Sequence, residues 1–235
     1  LCEEHNLYLI EDASHALGSQ IDHQKIGQKS DMTIFSFHAI KPITTFEGGA
    51  LVCENAEFYA KAKLLRSHGI IKKALWDLDM LLLGENYRLS DVACALGLSQ
   101  LKRLDEFIDK RTTIARYYDE YFANNPHFTT LEIDPHKKSS YHLYPILLDR
   151  SLWEFKETIF QALHEKGIGV QVHYKPIYQL GYYKSRFGEH YLLNAEDFYR
   201  AQLSIPCHQG MSMEDALYVA TTLLDVLTLL KEVQL

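Results

Sequence analysis

Over about its first hundred residues the chain alternates short apolar, β-rich runs with helical stretches, and this pattern narrows the choice of fold more than any other. Residues 7–10 and 32–37 read as strands, and a third strand over 49–53 opens at Gly48-Gly49, a pair that permits a tight bend. Helical patterning follows over 56–66. A less regular connector carrying Trp76 and Met80 leads to Ser90, which with Asp91 makes a good N-cap for a helical run from Val92 onward. Small residues recur in that run at Ala93, Ala95, Gly97 and Ser99, either because another backbone approaches closely or because the helix is merely alanine-rich. Beyond residue 109 the pattern changes. Charged helical sequence to Asn125 gives way to strand 142–148, helix 152–166, strand 169–172, a tyrosine-rich loop region and a last helix over 213–231. The expected class is α/β with a mixed, mostly parallel sheet over residues 1–108, followed by a smaller α+β domain over 109–235.

A chain of 235 residues with 47% hydrophobic and 23% charged residues has enough apolar material for a real core. Its formal charge of -7 and the lack of any cluster of Lys and Arg argue against a nucleic-acid partner, because neutralising phosphates needs basic residues gathered on one face. Cys2, Cys53, Cys94 and Cys207 lie far apart and form no C-x-x-C pair, so neither a disulfide framework nor a zinc knuckle is suggested. The histidines supply no H-x-x-x-H pair, and no metal is expected. No apolar run approaches the roughly 20 residues that span a bilayer, so the expectation is a soluble, cytoplasmic protein without a membrane partner. The chain opens on Leu1 and enters a buried-looking strand almost at once. A parallel strand needs neighbours on both sides, and the expectation is a fragment lacking its N-terminal part.

Three segments follow expected strands, where open α/β sheets place their ligands. The first is Glu11-Asp12-Ala13-Ser14-His15. A carboxylate there serves a ligand or simply caps the next turn. The second is Ser36-Phe37-His38-Ala39-Ile40-Lys41-Pro42, in which Lys41, taken alone, reads as a solvated surface charge in a loop. The third, Glu47-Gly48-Gly49-Ala50, suits a sharp turn and says little about function by itself.

Together and in this order the segments resemble the DegT/DnrJ/EryC1/StrS sugar aminotransferases, within the fold-type I group of pyridoxal-phosphate enzymes. The matching stretches are EDASHALGS at 11–19, SFHAIKPITTFEGGALV at 36–52, RSHG at 66–69 and NYRLSDVACALGLSQL at 86–101, continuing through HLYPILL and VQVHYKPIY. The resemblance implies pyridoxal 5'-phosphate as cofactor, with Lys41 bonding its aldehyde and then shuttling a proton, a task that needs an amine able to deprotonate well below its free pKa of about 10.4. Pro42 restricts Lys41 to extended backbone. Asp12 is implied to pair with the protonated pyridine nitrogen, His15 to meet the ring and Ser36 to donate to the phosphate. Asn86 matches a residue that reaches the cofactor phosphate of a neighbouring subunit, which implies a homodimer with shared active sites.

Toward the substrate the resemblance implies His38 against the hexose, Gln171, Val172, His173 and Tyr174 closing over it, and Arg88 and Lys175 beside the diphosphate. FHAIKPITTFEGG, SSYHLYPIL and QVHYKPIYQ look most like those members that aminate C4 of a UDP-linked 4-keto-6-deoxy-N-acetylhexosamine in pseudaminic acid biosynthesis, with glutamate as donor. Many members read GEGG where this chain has Phe46-Glu47-Gly48-Gly49. A lysine at position 41 argues against the sister dehydratases, in which histidine replaces it. Two alternatives stay open: amination of another nucleotide-linked keto sugar, and an inactive fragment that serves only for binding or dimerisation.

Overall fold

A computed structural model describes residues 1–232. The chain divides into two compact units, one formed by Leu1–Ile108 with Pro135–Ser140, the other by Asp109–Asp134 with the chain from Tyr141 onward.

The first unit is built on strands β1 (Ile10–Asp12), β4 (Met32–Ser36) and β5 (Gly49–Val52), with β4 in the middle. Between β1 and β4 run two short strands, β2 (Gln20–Ile21) and β3 (Gln24–Lys25), which form a small sheet with β9 (Lys137–Lys138). β1 pairs with β4 in parallel and β5 pairs with β4 antiparallel. The expectation of a mostly parallel sheet is therefore corrected to a small mixed one. The reason lies in the loop over residues 37–48, which folds back on itself and returns β5 beside its own predecessor without a crossover helix. The first strand also begins later than the expected 7–10, because the Leu9 amide donates to the Asp31 carboxylate at 2.7 Å instead of entering a ladder.

Helix α1 (Ala56–Arg66) fills the expected span, and Asn55 caps it by accepting from the amides of Glu57 and Phe58. The connector then forms a hairpin, β6 (Ile70–Lys72) with β7 (Leu78–Met80). Helix α2 (Asp91–Leu101) starts where Ser90 caps it through the Ala93 amide.

The division between units falls inside helix α3 (Leu104–Tyr121). In the second unit a sheet of β8 (Phe128–Thr130), β10 (Tyr144–Leu148) and β11 (Gln202–Ile205) has β10 at its centre. Tyr144, Ile146 and Leu148 alternate inward along β10. They meet Ile159 and Leu163 of α4 (Lys156–Glu165), Ile114 and Tyr118 of α3, and a stripe at helical spacing, Ala216, Val219, Ala220, Leu223 and Leu227, on α7 (Met213–Glu232). The tyrosine-rich stretch holds α5 (Gly181–Phe187) and α6 (Leu193–Ala201).

The expected strand over 169–172 is absent as such. Gln171 makes a single antiparallel bridge with Ser204, and the ladder stops there because the His173 amide is taken by the Gln202 side chain at 2.7 Å.

Candidate active site

The site begins with sheet register. Asp12 lies opposite Ile34 across the parallel pair, and Ser36 stands two residues further along the same strand, so the two share one face at the C-terminal ends of β1 and β4. Open α/β sheets gather ligands at that edge. Asp12 is fixed locally. Its Oδ1 accepts the Ser14 hydroxyl at 2.5 Å and the Ser14 amide at 3.1 Å, an Asx turn written directly into the EDASH segment. These two bonds, the hydroxyl first, hold the Asp12 carboxyl below its ordinary pKa, and the nearby charges of His15 and Lys41 act in the same direction.

Lys41 sits in a loop closed at its neck. The Phe37 amide donates to the Gly48 carbonyl at 2.8 Å, and the Phe37 carbonyl accepts from the Thr45 amide at 2.9 Å and from the Thr44 hydroxyl at 3.2 Å. Buried Pro42, Ile43 and Thr45 anchor the loop beneath the lysine. Gly49 is required at the closure, since a Cβ there would lie 2.7 Å from the Phe35 carbonyl oxygen. Desolvation lowers the Lys41 pKa, and the Asp12 carboxylate pulls partly the other way. The two groups thus lie within each other's electrostatic reach.

Helix α2 supports the loop from outside. Gln100 accepts the Thr44 amide at 3.3 Å, and a Cβ on Gly97 would lie 2.9 Å from Thr45 Cγ2. Close approach is therefore what the small residue at 97 provides. His38 stands over the loop with Nε2 3.5 Å from the Glu47 carboxylate, and its amide donates to Ser36 Oγ at 3.3 Å. The His15 ring is exposed, and its carbonyl accepts from Ser140 Oγ at 3.3 Å.

Asn86 and Arg88 are exposed, and among the described residues neither side chain forms a hydrogen bond or ion pair with Asp12, Ser36 or Lys41. The backbone around Asn86 is nevertheless fixed by the RSHG segment: Ser67 bridges Asn86, the His68 amide donates to Glu85 O at 2.8 Å and the Tyr87 amide to Arg66 O at 3.0 Å.

The remaining candidates belong to the second unit. His173 Nδ1 lies 2.9 Å from Ser204 Oγ, which also accepts from Gln202 Nε2 at 2.7 Å. Val172 is half-buried, Gln171 and Lys175 are exposed, and the exposed Tyr174 ring meets the His173 ring edge-on at 4.6 Å. Sequence reasoning missed Gln202 and Ser204, which orient His173, because the partners lie about thirty positions away with no local motif to mark them. It missed Ser14 as well, although a serine two residues after an aspartate is a turn signal. Among the described residues no helix is long and apolar enough to cross a membrane.

Against known proteins, the pattern of the DegT/DnrJ/EryC1/StrS aminotransferase family matches residues 1–224. A Campylobacter jejuni protein named UDP-4-amino-4,6-dideoxy-N-acetyl-beta-L-altrosamine transaminase is 56% identical over 232 residues, which are 99% of this chain and 62% of the relative. The chain thus spans less than two thirds of that relative's length. Among solved structures, Helicobacter pylori PseC, an aminotransferase involved in the biosynthesis of pseudoaminic acid, superposes with a TM-score of 0.92 at 44% identity, covering 97% of this chain and 61% of PseC. A Streptococcus pneumoniae protein described as a sugar aminotransferase, in its PLP-form, gives a TM-score of 0.87 at 31% identity, over 94% of this chain and 58% of its own. The chain belongs to the DegT/DnrJ/EryC1/StrS aminotransferase family.

Proposed function

We propose that the protein is a PLP-dependent aminotransferase that converts a UDP-linked 4-keto-6-deoxy-N-acetylhexosamine to its 4-amino sugar, with glutamate as donor, in pseudaminic acid biosynthesis. The observation that carries this reading is the coupling of Lys41 to Asp12 at one sheet edge, in a chain 56% identical to a transaminase named for that amino sugar.

The side chains fit the cofactor's chemistry. An amine whose basicity is lowered by burial suits an aldehyde, and a carboxylate held ionised by Ser14 suits a protonated ring nitrogen. Bound there, PLP supplies an electron sink for the carbon that loses its proton. Asp12 keeps the charge that the sink depends on. Lys41 Nζ, its basicity lowered by desolvation, accepts and returns the proton on one face. In this proposal Ser36 binds the phosphate and His15 meets the ring, while Asn86 reaches the second subunit of a homodimer with shared sites. His38, Arg88, Gln171, Val172, His173 and Tyr174 are assigned to the sugar nucleotide.

The test is made on the full-length protein with a panel of UDP-4-keto sugars and glutamate, the products weighed by mass spectrometry. The wild type should show the visible absorption of lysine-bound cofactor and yield the 4-amino-6-deoxy sugar. Lys41→Ala should lose that absorption, and turnover should fall by about a hundredfold or more. Amination of a different keto sugar moves the assignment within the family. No spectral change with any amino donor leaves only a binding role.

A further inference from the structure

We propose that Phe46 is a specificity-determining substrate contact, its ring forming an aromatic platform for the hexosyl end of the nucleotide-linked sugar. The inference rests on the functional reading above and goes beyond it, since no role has so far been given to Phe46.

Phe46 has φ +68°, a left-handed conformation that costs a bulky side chain and that glycine adopts freely. The turn imposes it. The Phe46 amide donates to Thr44 Oγ1 at 2.8 Å, and the hydroxyl of buried Thr45 donates to the Glu47 carbonyl at 2.8 Å. Among the described residues no ring contact covers the Phe46 side chain, and the residue is 72% exposed. A strained backbone carrying a bare aromatic is the kind of outlier from which function can be inferred. Its place says which function. Glu47, the next residue, holds His38 at 3.5 Å, and both belong to the closed loop that presents Lys41. The turn is thus tied to the loop that presents Lys41 and to His38, the residue assigned above to the hexose. A neutral ring there suits the C–H face of a deoxyhexose.

Full-length Phe46→Gly and Phe46→Tyr decide it. Phe46→Gly should melt no lower than wild type and keep the visible absorption of bound cofactor. Its KM for the UDP-4-keto-6-deoxy sugar should rise about fivefold, with kcat within about twofold of wild type. Phe46→Tyr should restore KM, and the inhibition constant of UDP alone should not move. An unchanged KM in Phe46→Gly overturns the proposal. So does a parallel rise in the UDP constant, which would place the ring on the nucleotide, or a change of molar mass in light scattering, which would place it against a second copy. If the wild type turns over no UDP-4-keto sugar, the functional reading fails by itself. Calorimetric titration of the same UDP-sugars into wild type and Phe46→Gly then still judges the ring, with equal affinities counting against it.

Discussion

Asp12 owes its low pKa to Ser14 before any other neighbour, so the hydroxyl at position 14 sets the acid side of the proposed chemistry. A carboxylate with a depressed pKa stays ionised until the pH falls through that lowered value, and removing the cause moves the loss of charge to higher pH. On the proposed function, Ser14→Ala in the full-length protein should therefore shift the acidic limb of the kcat/KM profile upward while leaving the plateau near neutral pH close to wild type, and Ser14→Thr should restore it. A limb that does not move would mean that another group limits the rate in acid. The same pair shows what was legible at this scale. Sequence alone allowed Asp12 either a ligand or a turn to cap, and the structure shows that the turn is real: Ser14 takes Oδ1, and among the described residues Oδ2 accepts no hydrogen bond. The electrostatic reach between Asp12 and Lys41 was not readable, because it depends on a parallel register that brings together residues 29 positions apart.

The turn that ends α1, the RSHG segment, is the element that fixes the backbone at Asn86, and the close approach of Gly84 to Gly69 makes that contact possible. A Cβ on Gly84 would lie 2.2 Å from the Gly69 amide nitrogen, 2.6 Å from His68 C and 2.9 Å from Leu65 O, all backbone atoms that cannot swing aside. Gly84→Ala should therefore cost about 1–3 kcal/mol in denaturant unfolding. It should also weaken cofactor retention if Asn86 has the role proposed for it. Gly181→Ala, which would meet nothing within 4 Å at the start of α5, should be neutral. Equal effects at the two sites would show that the close approach is not what matters. Sequence read α1 and the start of α2 well because Asn55 and Ser90 are explicit caps. It took the β6–β7 hairpin for a connector because strands of three residues are too short to show alternation. The strand expected over 169–172 failed for the opposite reason. Ile168 and Val170 are buried and look like ladder residues, yet they are satisfied by packing while the Gln202 side chain captures the next amide.

Buried apolar side chains are shared unequally between the two units, and this sets how the 235-residue chain as a whole should behave. The continuous core, with Tyr118, Ile146, Leu163 and Leu223 fully buried, belongs to the second unit. In the first unit Ala13, Phe35, Ile43, Phe107 and Ile108 are buried, whereas neither α1 nor α2 contains a buried residue and Trp76 at the hairpin tip is 86% exposed. On the face of β1–β4–β5 that carries Asp12 and Ser36, the neighbouring Ile10, Ile34 and Leu51 are bare as well. Helices of eleven residues are marginal when they depend on caps and propensity alone. Amide protection follows buried apolar contact more closely than it follows helical geometry. Hydrogen exchange on this chain should then find the slowest amides in the second-unit part of α3, in α4, α7, β10 and β11. α1, α2 and the β6–β7 hairpin should exchange faster despite their intact hydrogen bonds. If α1 and α2 were as well protected as α7 in dilute solution, the bare surfaces of the first unit would have to be covered after all. Protection there that rises with protein concentration while α7 stays constant would identify the cover as a second copy of the chain.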